Sequence, residues 1–82
     1  MILIKNPNKI PPLERGDTIF WWCSNKKMLS VIIDKNKESF KLYSITNNRY
    51  LKYPNFCLKR MIKIITNLHI IKADGTVFKY VG

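Results

Sequence analysis

The residues with the clearest capacity for chemistry are basic side chains interleaved with aromatic ones. The 82-residue chain carries 15 Lys and Arg against 5 Asp and Glu, which gives a formal net charge of +10, and 12% of its residues are aromatic. Proteins that bind single-stranded nucleic acid combine cationic grooves with aromatic rings on which bases stack. The composition therefore directs attention to clusters of basic and aromatic residues.

Three basic clusters and one aromatic pair are candidate binding residues. The first cluster lies in a polar turn, the second spans two predicted strands, and the third lies on the polar side of a predicted helix. On an ordinary surface both signs of charge are interspersed, and these segments contain almost no acids. In sequence order the candidates are Trp21, Trp22, Lys26, Lys27, Lys41, Tyr43, Arg49, Tyr50, Lys52, Lys59, Arg60 and Lys63.

The two tryptophans occupy adjacent positions of a predicted strand. Adjacent strand residues point to opposite faces of a sheet, so Trp21 and Trp22 cannot both enter one core. One of them is expected in the core, and the other becomes an interaction anchor if nothing covers it. The sequence leaves open which of the two is exposed.

Catalytic and metal-binding patterns are missing from the sequence. His69, the one histidine, lies mid-strand, and the five acids lie in or beside predicted turns. Zinc needs about four Cys or His ligands at short spacing, which Cys23, Cys57 and His69 do not supply. The glycines form no phosphate-binding loop. We therefore expect a protein that is not an enzyme and uses no metal or cofactor.

The compartment is suggested by apolar runs and cysteines. The longest apolar run, Ile19 to Cys23, is far shorter than the roughly 20 residues of a bilayer span. The N-terminus places its apolar residues before its charge, the reverse of a signal peptide. We expect a cytoplasmic protein without membrane contact, in which Cys23 and Cys57 are reduced and buried; a bond between them is the open alternative.

Four strands are predicted in the first two thirds of the chain. Residues 19–23, 28–34, 39–46 and 49–53 are rich in β-branched and aromatic residues, and polar turns separate them. Such short loops require sequential antiparallel pairing, which makes a meander. Residues 2–5 are a further edge strand, joined to the meander by a proline-rich connector.

The last third of the chain predicts a helix and a hairpin. Apolar residues from Leu58 to Leu68 recur at three- and four-residue spacing, which indicates a helix over about 54–67. Residues 68–73 and 76–81 flank Asp74-Gly75, the preferred pair for a two-residue hairpin turn. Such a turn places His69 opposite Tyr80.

The predicted fold is a single α+β domain over residues 1–82. It consists of a small antiparallel β-meander, open or half-rolled, packed against one amphipathic helix at about 54–67, with a C-terminal β-hairpin at about 68–81. The alternative is an SH3-like barrel plugged by the helix.

The size, composition and strand–helix–strand order resemble those of small proteins from phages and mobile elements of AT-rich bacteria. The abundance of Ile, Lys and Asn fits an AT-rich coding bias. The resemblance implies a non-enzymatic accessory protein of anti-defence type, often an inhibitor of a host system.

Three functions remain open at this point. The first is binding to nucleic acid, or to a host complex that handles nucleic acid and is inhibited by the contact. The second is a protein inhibitor that docks on an acidic surface of a host defence enzyme. The third is an oligomeric sponge for a nucleotide signal. The sequence leaves the oligomeric state undecided.

Overall fold

Seven β-strands form one mixed sheet in the computed structural model, which describes residues 1–81. The elements in chain order are β1 (Ile2–Ile4), a 3-10 helix (Pro7–Lys9), β2 (Thr18–Cys23), β3 (Lys26–Lys35), β4 (Ser39–Ser44), β5 (Arg49–Pro54), α1 (Cys57–Met61), β6 (Thr66–Ile71) and β7 (Val77–Tyr80). The strand order across the sheet is β1-β7-β6-β2-β3-β4-β5. Among these described strands only β1 and β7 pair in parallel, and the other neighbours are antiparallel.

The predicted α+β fold, a meander packed against a helix over about 54–67, is wrong, and so is the barrel alternative. Strands β2 to β5 do follow one another, but β6 pairs with β2 and extends the sheet to β7 and β1. The described chain is therefore one mixed sheet with a helix, α1, of five residues.

The helix is short because β5 ends only at Pro54 and β6 already begins at Thr66. Pro54, predicted in the first helical turn, is the last residue of β5 and lies opposite Ser39. Thr66 already pairs with Trp22 of β2. No side chain caps the helix at Phe56. Strand pairing thus limits the helix at Pro54 and Thr66, while the backbone N–H groups of residues 62–65 donate to carbonyls of residues 58–61 in turns.

The hairpin of β6 and β7 has a three-residue loop, where Asp74-Gly75 had predicted a loop of two. The Lys72 N–H donates to the Thr76 carbonyl at 2.8 Å, which closes the loop. Gly75 has a φ of +93°, the left-handed conformation that three-residue hairpin loops require at this position. The Thr76 N–H donates to Asp74 Oδ1 and thereby lowers the pKa of that carboxyl.

The longer loop shifts the hairpin register by one residue from the prediction. Ile70 lies opposite Phe78, and His69 lies opposite Lys79 rather than Tyr80. A shift of one residue moves a side chain to the other face of a sheet. Phe78 therefore packs against the core beside Ile70, while His69 faces the opposite side.

The core lies on one face of the sheet, here called the inner face. The connector between β1 and β2 covers it through Leu13, and α1 covers it through Leu58. Apolar residues predicted for the long helix still pack against this core, although most lie outside α1. The buried apolar residues are Ile4, Leu13, Ile19, Trp21, Ile32, Phe40, Leu42, Leu58, Leu68 and Ile70.

A buried ion pair joins the connector to the β6–β7 hairpin. Asp17 is 1% exposed, and its Oδ2 lies 2.5 Å from Lys72 Nζ. The same carboxylate accepts hydrogen bonds from the Glu14 N–H at 2.8 Å and the Ala73 N–H at 3.3 Å. Lys72 also donates to the Pro12 carbonyl at 3.0 Å. The buried charges are thus paired and hydrogen-bonded, as burial requires.

The ion pair continues the ladder between β2 and β6. Thr18 lies opposite Ile71, so Asp17 and Lys72 occupy the next pair of positions. In this same register Phe20 lies opposite His69. The ion pair is therefore compatible only with the register in which these side chains of β2 and β6 meet.

We predict that Asp17→Asn lowers the free energy of unfolding by about 3 kcal/mol, because the substitution leaves the Lys72 ammonium without its buried carboxylate. The matched control is Glu14→Gln, which removes the exposed carboxylate near the same lysine and should cost less than about 0.5 kcal/mol. Urea denaturation followed by circular dichroism measures both. Equal midpoints for the two variants would contradict the prediction.

Candidate functional site on the outer face of the sheet

The side of the sheet away from the core carries a continuous set of aromatic, basic and aliphatic side chains. Strand alternation and the pairing registers place them together. We call this surface the outer face. Its members are Leu3, Thr18, Phe20, Trp22, Lys27, Leu29, Val31, Asp34, Lys41, Tyr43, Ile45, Tyr50, Lys52, His69, Ile71, Val77 and Lys79.

One aromatic group of the outer face lies on β2 and β6. The rings of Phe20 and His69 stack with centroids 4.3 Å apart and planes inclined by 11°. The Lys27 ammonium lies over the Phe20 ring at 4.6 Å from its centroid. Trp22 lies opposite Lys27 and is 38% exposed. This group therefore combines two stacked rings, an open indole and a cation.

A second aromatic group lies on β4 and β5. Tyr43 and Tyr50 meet edge to face with centroids 4.9 Å apart. The Lys41 ammonium lies 5.5 Å from the centroid of the Tyr50 ring, and Tyr50 is 63% exposed. The Tyr43 hydroxyl donates to Asn48 Oδ1, which holds that ring in place. Tyr50 is thus an accessible ring beside a fixed one.

Turn residues with left-handed backbone position both groups. Ser24 and Asn25 have φ values of 50° and 69°, as a two-residue type I′ hairpin turn requires, and this turn places Lys27 opposite Trp22. Asn48 has a φ of 54° in the turn before β5. A bulge in β3 beyond Ile32 shifts the register with β4. Short-range turn chemistry therefore sets the cross-strand neighbours on the outer face.

The outer face is strongly positive. Its lysines are Lys27, Lys41, Lys52 and Lys79, and within residues 1–81 the carboxylate nearest to them in the register is Asp34, at the margin opposite Lys41. The salt bridges found among the described residues all involve Lys72, on the other side of the sheet. Asp34 lines the same hollow as Lys41 and Lys52, but within residues 1–81 it forms no salt bridge with either of them. The ammonium groups of the outer face therefore remain able to pair with an external anion.

Half of the residues predicted from sequence meet on this face. They are Trp22, Lys27, Lys41, Tyr43, Tyr50 and Lys52. Trp21 instead lies in the core at 8% exposure, which answers the question that the sequence left open. Lys26 and Arg49 are exposed at strand ends but pair with Cys23 and Ser44, on the inner-face side of the alternation.

Among the aromatic, histidine and lysine side chains of the outer face, three were not predicted as site residues: Phe20, His69 and Lys79. Phe20 shares strand parity with Trp22, so the sequence contained a signal for it. His69 lies opposite Lys79 because the hairpin loop has three residues. His69 meets Phe20 because β6 pairs with β2. No short-range sequence pattern predicts the pairing of β6 with β2.

The third predicted cluster belongs to a different surface, the α1 ridge, which we define as Phe56, Lys59, Arg60, Lys63 and Ile64. Phe56 is 55% exposed and Ile64 is 78% exposed. The Arg60 guanidinium lies 4.9 Å from the centroid of the Phe56 ring. The ridge lies on the side of the sheet covered by α1, whose Leu58 enters the core. It is thus a basic and apolar surface separate from the outer face.

A cavity of about 200 Å³ lies between the proline-rich connector and α1. The aromatic side chain in its wall, Phe40, is 2% exposed, so it offers no open ring for a base. Lys35 and Lys59 line its rim. The stacking contacts that a nucleotide pocket needs therefore lie on the outer face rather than here.

The cysteines differ in part from expectation. Cys23 and Cys57 are both free, but Cys23 is exposed and Cys57 is half-buried, so the predicted burial is wrong. Across residues 1–81 no group of three His, Cys, Asp or Glu is placed to hold a metal ion. The helices in that same range are too short to cross a bilayer.

We predict that the two tryptophans respond differently to a soluble quencher. Trp21→Phe leaves Trp22 as the emitter, and we expect red-shifted fluorescence that acrylamide quenches strongly. Trp22→Phe leaves the buried Trp21, and we expect blue-shifted emission with weak quenching, because the quencher must contact the indole. Equal quenching constants in the two folded variants would contradict the placement of Trp22 on an open surface.

The outer face brings six of the twelve predicted binding residues together, with aromatic rings beside lysines. Comparison of the chain with protein-family models, curated proteins and solved structures found no match. The function is therefore inferred from the chain's own residues.

Proposed function

We propose that the outer face binds nucleic acid. The observation that carries this proposal is the convergence of four lysines with exposed aromatic rings on one side of the sheet. Aromatic rings alone would suit many partners, and lysines alone are common on solvated surfaces. Together on one face, with the nearest carboxylate at the margin, they match the chemistry of a polyanion that carries planar bases.

The arrangement of lysines beside the aromatic groups of the outer face supports the proposal. The lysines lie beside the aromatic groups, where they can contact phosphates, and Leu29 and Val31 of β3 lie between the two aromatic groups. Neutralised phosphates release bound counterions, which makes binding favourable at low salt. The rings and aliphatic side chains then provide surface for bases and sugars.

The proposed role is that of a cytoplasmic binding protein rather than an enzyme. By occupying a nucleic acid, or the nucleic-acid site of a host complex, such a protein inhibits that complex without chemistry of its own. The half-buried His69 is stacked on Phe20, which suits a contact surface.

We predict that removing outer-face charge weakens nucleic-acid binding and its salt dependence. The variant Lys27→Met, Lys52→Met, Lys79→Met loses three positive charges from the outer face. We expect the slope of log affinity against log salt to fall in magnitude by about 2 for single strands, because each phosphate contact contributes about 0.7. Fluorescence anisotropy with a labelled oligonucleotide between low and moderate salt measures the slope.

The matched control is Lys59→Met, Arg60→Met, Lys63→Met, which removes the same charge from the α1 ridge. We expect it to keep most of the wild-type slope. An equal or larger loss in this control would place the binding surface on the ridge, and absence of binding by the wild type at low salt would contradict the function itself.

A second candidate function, docking on an acidic protein surface, is favoured by the α1 ridge. Phe56 and Ile64 are exposed apolar side chains beside three cations, and the sequence contains no acid between Glu38 and Asp74. Exposed apolar anchors surrounded by charge are typical of protein interfaces. Their basic neighbours fit an acidic partner, such as a host enzyme that this protein would inhibit.

We predict that a protein partner, if one docks here, is lost from the double variant Phe56→Ser, Ile64→Ser and kept by Tyr50→Leu. The first variant removes the apolar anchors of the ridge, and the second alters only the outer face. Pulldown from a bacterial lysate with nuclease treatment, quantified by mass spectrometry, tests this pattern. A stoichiometric partner that both variants retain, or the absence of any such partner, would count against docking on the ridge.

A further inference from the structure

We propose that the ligand of the outer face is a single-stranded nucleic acid. In the free protein Lys27 and Lys41 lie over aromatic rings, and on binding unpaired bases displace these lysines and stack on the rings. This inference rests on the proposed function and specifies its substrate class. In the free protein each of these lysines lies over an aromatic ring, Lys27 over Phe20 at 4.6 Å and Lys41 over Tyr50 at 5.5 Å.

The preference for unpaired bases follows from where the aromatic rings stand. Trp22 and Tyr50 are exposed on a strand surface, where the open face of each ring can stack on another flat group. The bases of a duplex are stacked on one another and present only their edges in the grooves. A duplex would therefore meet the lysines with its phosphates and leave the rings without partners. A single strand satisfies both kinds of side chain.

The lysine over each ring is a weak contact that a base can replace. A cation–π contact at an exposed site is worth less than the stacking of a base on an aromatic side chain. A base that replaces Lys41 on Tyr50 also brings its own phosphate close to the displaced ammonium. The Lys41 ammonium then leaves the Tyr50 ring and pairs with the phosphate, so base stacking and charge neutralisation occur in one step.

Lys52 provides an internal comparison for this exchange. It lies opposite Lys41 on the same face and carries the same charge. Among the described residues its ammonium has no cation–π contact, whereas Lys41 has one with Tyr50. Binding should therefore change the magnetic environment of the two lysine side chains differently.

The exchange is tested by nuclear magnetic resonance of the full chain. In the free protein we expect the ring current of Tyr50 to shift the ε-methylene protons of Lys41 upfield, and that of Phe20 to do the same for Lys27. We expect saturation with a thymidine or uridine strand of about 12 nucleotides to abolish these upfield shifts, with smaller changes at Lys52. The variant Tyr50→Leu identifies the Lys41 shift, which should be absent there before any ligand is added.

Affinity measurements test the same proposal independently. We expect Tyr50→Leu to weaken binding of the single strands about 5- to 100-fold, the range for losing one stacked base, and to leave duplex affinity unchanged. The thymidine and uridine arms compare DNA with RNA, and the tighter of the two identifies the preferred backbone.

The outcomes separate this inference from the function on which it rests. Upfield shifts of Lys41 and Lys27 that persist in the saturated complex would overturn the exchange, and duplex affinity equal to that of single strands would overturn the preference; in both cases nucleic-acid binding stands. Absence of binding to every strand at low salt would remove the proposed function and the inference together.

Discussion

The ion pair between Asp17 and Lys72 is the constraint on which the arrangement of the sheet depends. A carboxylate at 1% exposure requires a partner, and the amides of Glu14 and Ala73 complete its hydrogen bonding. The pair occupies the next positions of the β2–β6 ladder, so it opposes a slip of that register. Because β2 and β6 join the four-strand segment to the β6–β7 hairpin, the ion pair acts together with the buried side chains of Ile19 and Ile70 where the two halves of the sheet meet.

This register separates the chemistry of the two faces. With Asp17 buried, Ile19 and Trp21 enter the core, and Phe20 and Trp22 face outward. His69 then stacks on Phe20 at 4.3 Å. The pairing also neutralises one of the five acids of the chain inside the protein. The inner face thus takes apolar surface and the ion pair, while the lysines of the outer face form no salt bridge among the described residues.

The strands and short turns of the β2–β5 segment could largely be predicted from the sequence, but the short length of the helix could not. Asn48 tolerates left-handed backbone, so the turn before β5 could be predicted. The turn after β2 was predicted over Ser24 to Lys27, but it has two residues, and Lys26 and Lys27 belong to β3. The apolar spacing after Leu58 indicated a helix over about 54–67, but the same residues also serve as a cover for the core in a short helix and loop. Apolar periodicity predicts which side chains are buried. It does not predict which backbone N–H and C=O groups will form hydrogen bonds with a neighbouring strand.

The sequence by itself determined the cationic excess, the opposite orientation of Trp21 and Trp22, and the local basic and aromatic residues of β4 and β5, because these depend on composition and on the alternation of side chains along a strand. Only the tertiary structure decided that Trp22 is the exposed tryptophan, that Phe20 meets His69, and that the residues of the α1 ridge lie apart from the outer face. These facts depend on the pairing of β2 with β6 across more than forty intervening residues. That pairing is selected by burial of the Asp17–Lys72 pair and the core around it, and no short stretch of sequence contains both partners.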